Sequence, residues 1–203
     1  MKKLSILSAL LLSVAVIFMS CKTPVNPEDD DKVDQTVERV TLSDGIWNAK
    51  ILQKVYSNPV TMDYEICGKF SSVNNVGTAQ SGTMNISMNT AEVMGSNYTT
   101  YTQMTAEQKE TYKTAFLNQL KASLAQVTTS FGVLRNATMD DSSIKLEIEL
   151  GSSYLSQFNT MLNFNNTNWG TGTVIKTNKK KTKYEITVPQ TQGEPITYIF
   201  TKD

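Results

Sequence analysis

Two kinds of spacing alternate along the chain. "SIKLEIEL" sets Ile144, Leu146, Ile148 and Leu150 against Lys145, Glu147 and Glu149, the period of two expected of a strand with one face in a core and the other in water. "GIWNAKILQKVY" and "VTMDYEICGKFS" are rich in β-branched and aromatic residues and are separated by "SNP", so they predict an antiparallel hairpin. In the second of these, Val60, Met62, Tyr64, Ile66 and Phe70 share one face, and Thr61, Asp63, Glu65, Cys67 and Lys69 share the other. "GTMNISMN" supplies a third strand, "GTGTVIKTNKKKTKYEITVP" a hairpin with lysines at its tip, and "PITYIFT" a last strand after the turn "QGEP". Between these, the period lengthens to that of a helix: Tyr112, Phe116, Leu120, Leu124 and Val127 draw one apolar stripe, and Thr105 with Gln108 stands at capping-box spacing at its start. Tyr154, Leu155, Phe158, Met161 and Leu162 predict a second, shorter helix. The expected class is α+β: an antiparallel meander of about seven strands, able to close into a barrel, with one long and one short helix.

The N-terminal pattern is different in kind. Met1, Lys2 and Lys3 precede a run from Leu4 to Met19 without a charged residue, and the chain turns polar at "CKTPVNPEDDDKVDQ". A membrane-spanning helix needs about 20 apolar residues, so the run is short for a permanent span, and its acidic flank is unlike a stop-transfer sequence. It reads as a signal peptide over residues 1–20. Residues 21–41, polar and proline-containing, are expected to form a flexible tether, and residues 42–203 one domain.

Charge and composition mostly remove possibilities. Nineteen basic residues balance 19 acidic ones, and loss of Lys2 and Lys3 with the signal peptide tips the balance slightly acidic. Nucleic-acid binding, which calls for a basic excess on one face, is not expected. The chain has no histidine, which excludes Ser-His-Asp and Cys-His catalysis and His-ligated zinc. No cofactor and no metal site is expected. The lysine run "KTNKKKTK" reads as a solvated hairpin tip, with contact to anionic lipid head groups as its functional reading. Asp63 and Glu65, about 7 Å apart on one strand face, are the carboxylates an enzyme would have to use; a solvated strand face is the expected reading of them. Cys67 has no expected intramolecular partner if Cys21 is modified, and nothing near it in sequence except Lys69 would activate the thiol.

Phe18, Met19, Ser20 and Cys21 resemble the lipobox of a bacterial lipoprotein, in a form with bulkier residues than leucine and alanine at the first two positions. The resemblance implies that Cys21 is acylated and becomes the first residue of the mature protein, held on a membrane surface of the cell envelope, the outer membrane ahead of the inner. Several acyl chains anchor stably where one binds only marginally. Gly45, Ile46 and Trp47 look like the Gly-x-Trp that opens a lipocalin, which would imply an eight-stranded barrel around a small apolar ligand; the closing arginine of that family has no counterpart, since the arginines are Arg39 and Arg135. The expected function is a noncatalytic surface lipoprotein, a binding module for a protein partner or host molecule. The alternative is a lipocalin-like carrier of a small apolar ligand.

Overall fold

A computed structural model describes residues 30–57, 60–165 and 169–203, without the side chains of 126–130 and 159–161. The expected signal peptide over residues 1–20 and the expected acylation site Cys21 lie outside the described residues. Among the described residues nine strands make one antiparallel sheet: β1 (Gln35–Val37), β2 (Gly45–Ser57), β3 (Val60–Val73), β4 (Val76–Asn89), β5 (Gly132–Met139), β6 (Ser143–Leu150), β7 (Val174–Thr177), β8 (Lys183–Val188) and β9 (Ile196–Lys202). Their order across the sheet is β1-β7-β8-β9-β2-β3-β4-β6-β5. The class is α+β, as the periodicities predict, but the sheet stays open, with β1 and β5 at its two edges. This corrects the barrel expected from Gly45–Trp47. Trp47 is fully buried in the sheet-facing core, with its indole Nε1 donating to the Ser43 carbonyl at 2.9 Å, and it closes no barrel floor.

Strand pairing keeps the apolar residues on one face from edge to edge. Ile51 lies opposite Ile66, Ile66 opposite Met84, and Met84 opposite Ile148, while in the other direction Ala49 meets Phe200 and Phe200 meets Tyr184. Because side chains alternate along each strand, this register puts Lys50, Glu65, Cys67, Thr83 and Glu149 together on the opposite face. The β3–β4 hairpin turns on Asn74 and Asn75, both in the left-handed region at φ 52° and 62°, which asparagine tolerates better than most residues.

Helices cover the apolar face only. Asn89 caps α1 (Thr90–Met94) by accepting from the amides of Ala91 and Glu92, and a 3₁₀ turn leads on to α2 (Tyr98–Gln103). The long helix α3 (Ala106–Phe131) begins with the expected reciprocal cap: the Thr105 amide donates to Gln108 Oε1 at 2.9 Å and the Gln108 amide to Thr105 Oγ1 at 3.3 Å. Its stripe of Phe116, Leu120 and Leu124 lies over Met88, Ala137, Ile144 and Leu146. The shorter helix α4 (Ser152–Met161) and the segment after it bring Phe158, Leu162 and Phe164 onto Trp47, Phe70, Tyr184, Ile186 and Phe200. Its close approach depends on Gly68 and Gly82, which pair across β3 and β4: a Cβ on Gly68 would stand 2.4 Å from the Phe158 ring. The result is two apolar clusters side by side on one sheet face.

The stretch expected as a free tether joins the domain before its predicted end. Residues 35–37 form β1 against β7, Val40 is 2% exposed within the larger cluster, and Tyr184 donates to the Thr41 carbonyl at 2.8 Å. Alternation failed to mark this segment because only Val37, Val40 and Leu42 are apolar in it, spaced by loop rather than by strand. The strand β5 and the short helices α1 and α2 were also absent from the predicted elements.

Candidate binding face

The face that carries no helix is the polar one, and it is dished. An open trough of about 630 Å³ runs over its centre, lined among others by Lys50, Cys67, Lys69, Thr83, Glu149 and Lys183. The sheet supplies these groups by alternation alone: each is the outward neighbour of a core residue on its strand. Two β-bulges interrupt the ladder, one opposite Lys69–Phe70 beside the trough-lining Lys69 and Ser81, the other at Arg135, and increase the local bend of their strands.

Charges on this face are matched across neighbouring strands. Lys50 reaches Glu65 at 3.1 Å, Lys54 reaches Asp63 at 3.8 Å and Lys69 reaches Asp203 at 2.6 Å. Arg135, extruded by its bulge, pairs with Glu149, and Asn48 donates to Asp203. Partial burial pushes the Glu65 carboxyl up, but hydrogen bonds from Lys50, Cys67 and Asn85 and the Lys50 charge outweigh it, so Glu65 titrates below its ordinary value. Hydrogen bonds from Lys69 and Asn48 likewise hold Asp203 low. All of these pairs are solvent-exposed to a degree that makes each worth little to stability. They make the face a patterned, overall balanced surface.

Asp63 and Glu65 stand where the strand period put them, side by side on this face, each held by its own lysine. The arrangement has the character of a solvated ladder of ion pairs. Cys67 lies half-buried at the floor of the trough, its Sγ 3.4 Å from Glu65 Oε1. Burial, then the adjacent Glu65 charge, pushes the thiol up to about 11, so it stays protonated at neutral pH and is a poor nucleophile. Lys69, the one group near in sequence that could have activated it, is taken up by Asp203. The participation of Asp203 and Glu149 escaped sequence reasoning. Asp203 follows the last strand and meets Lys69 more than a hundred residues earlier in the chain, while Glu149 meets Arg135 on β5, a strand that alternation did not reveal.

Comparison with protein-family models, with curated proteins and with solved structures finds no match. The site must therefore be read from its own chemistry. Among the described residues no three His, Cys, Asp or Glu side chains gather where they could hold a metal ion, and no helix is long and apolar enough to cross a membrane. The lysine run does form a hairpin tip. Asn178, almost fully buried, accepts from the amides of Thr182 and Lys183 at 2.9 and 3.1 Å and so fixes the turn, leaving Lys179, Lys180 and Lys181 exposed. Lys180 pairs with Asp30 at 3.1 Å, so the first of the described residues lies beside this tip.

Proposed function

We propose that the protein is a noncatalytic lipoprotein of the bacterial cell envelope, attached to a membrane through acylated Cys21, whose bare concave sheet face binds a protein partner. The observation that carries the attachment is the uncharged run from Leu4 to Met19, preceded by two lysines and stopping at Cys21 before an acidic, proline-containing stretch. Binding is supported by the one-sided cover of the sheet: a dished face bearing matched charges and no helix offers hydrogen bonds and complementary charge to another polar surface, which serves specificity and association rate more than raw affinity. The protonated, half-buried Cys67 and the lysine-held Asp63 and Glu65 favour recognition over covalent chemistry at that face.

Replacing Cys21 with serine tests the attachment. The variant is expected to lose labelling by radioactive palmitate, to persist as a slower-migrating precursor and to leave the membrane fraction after carbonate washing. Normal labelling of the variant would overturn the assignment. Surface proteolysis of intact cells then reports on which side of the membrane the concave face meets its partner: release of the domain places it outward.

A further inference from the structure

The two apolar clusters do not merge. Between them, under the C-terminal half of α3, lies a cavity of about 180 Å³ whose floor is β3, β4 and β6 and whose roof is Leu120 and Leu124. Met62, Met84 and Met88 line it from the sheet side together with Tyr64 and Ile148, and no charged residue does. Phe131, the last residue of α3, closes one end and stacks on Tyr154 of α4 at 4.7 Å between ring centroids. Tyr64, the one lining residue with a side-chain hydroxyl, donates it to the Met62 sulfur at 3.5 Å, a weak partner. In close-packed interiors voids much larger than a water molecule are few, and an apolar one of this size has no polar groups to hold water.

We infer that this cavity is a binding site for the alkyl end of a small uncharged aliphatic molecule. Its size sets the length of chain: an engineered apolar cavity of about 150 Å³ accepts benzene, so roughly six or seven carbons fit here. The absence of lining charges rules against ions, nucleotides and sugars. Its three methionines favour a flexible guest over a rigid one, because unbranched thioether side chains repack around irregular shapes. The Tyr64 hydroxyl is available to a single hydroxyl or carbonyl oxygen on the guest. The roof can give way to admit it, since Leu120 and Leu124 of α3 are only half-buried against the sheet. A carrier of apolar ligands thus needs no barrel in this fold, and the site is independent of the concave face on the far side of the sheet.

The test is a titration of the mature chain with 1-alkanols from butanol to decanol, followed by the methyl resonances of selectively labelled methionines. Shifts are expected at Met62, Met84 and Met88 and not at Met94, Met104 or Met139, with affinity rising about fourfold per methylene and levelling off beyond six or seven carbons, where further methylenes stay in water. The cavity-filling substitution Met84→Phe should weaken hexanol binding at least tenfold while the chain still melts cooperatively. Overturning results are an absence of saturable shifts at the three methionines, affinity that keeps climbing through decanol as in surface adsorption, or undiminished hexanol binding by a folded Met84→Phe chain. If that variant fails to fold, the chain-length cut-off and the location of the shifts in the unaltered protein decide the matter.

Discussion

At the scale of single residues, the fold depends on absent side chains as much as on present ones. Gly68 is the sharpest case. Alanine normally suits a strand better than glycine, but here a methyl group would enter the Phe158 ring, and α4 would have to lift off the sheet. Gly68→Ala is expected to destabilise the domain by about 1–3 kcal/mol in urea denaturation, and Phe158→Leu in the same chain should recover part of that loss by making room. Asp140 shows the opposite economy, one carboxylate satisfying a whole turn. It accepts from the amides of Ser142 and Ser143 at 2.7 and 2.6 Å and from both their hydroxyls, closing β5 onto β6. The Ser142 hydroxyl and amide are the main cause of its carboxyl being held down to about 2, below the ordinary 3.8. A lowered carboxylate pKa stabilises the fold above the unfolded-state value and ceases to as pH falls through the folded one. The stability gap between the native chain and Asp140→Ala is therefore expected to be present at pH 7, to shrink from about pH 4 downwards and to vanish near pH 2. Solvent screening keeps that gap to about 1 kcal/mol or less.

At the scale of elements, what could be read from the sequence was what announces itself locally. β6 carries unbroken alternation over eight residues, α3 a stripe with a capping box at its head, and β2 and β3 a hairpin in which the two faces of β3 follow from its alternation. β5 stayed hidden because the bulge at Arg135 breaks its period: Leu134 and Ala137 face the core with two residues between them. α1 and α2 are helices of five and six residues in "TAEVMGSNYTTYTQ", too brief for periodicity to emerge, and they are held by tertiary bonds such as Tyr101 Oη to Asp141 Oδ1 at 2.8 Å. β1 has three residues and exists only because β7 offers it an edge. Of the candidate site, the composition of the polar face was legible from alternation. Its partners across strands were not, because register over long separations is set by packing of the whole core. The hidden element β1 has a measurable effect. A chain beginning at Leu42 lacks β1, the buried Val40 and the carbonyl that Tyr184 uses, a loss of about 2–3 kcal/mol. Its Tm should lie roughly 5–10 °C below that of a chain beginning at Lys22. Equal melting temperatures would mean that this segment contributes nothing to the fold.

At the scale of the whole molecule, the sheet interleaves distant parts of the chain. β2, the strand that carries Trp47, sits between β3, its neighbour in sequence, and β9, about 150 residues further on. Phe200 on β9 meets Phe70 edge-on at 6.0 Å and Phe164 at 5.1 Å between ring centroids, so the larger cluster is incomplete until the last strand is in place. A chain shortened to end before Ile196 should therefore retain hairpins but show no cooperative thermal transition by calorimetry, whereas removal of the lysines at the hairpin tip by Lys179→Ala, Lys180→Ala and Lys181→Ala should leave the transition within a few degrees of its original place. The same topology bears on timing. Contacts between distant segments form late, because the entropy of closing the long loop is lost before the contact is gained. A protein that emerges from a membrane pore starting at its N-terminus would have β2, β3 and β4 outside and zipped together long before β9 arrives, yet could not bury Trp47 and Phe70 until then. Threaded in that way, the chain would carry its own delay: it would stay extensible during passage and lock only as its final strand slides in beside its first long one.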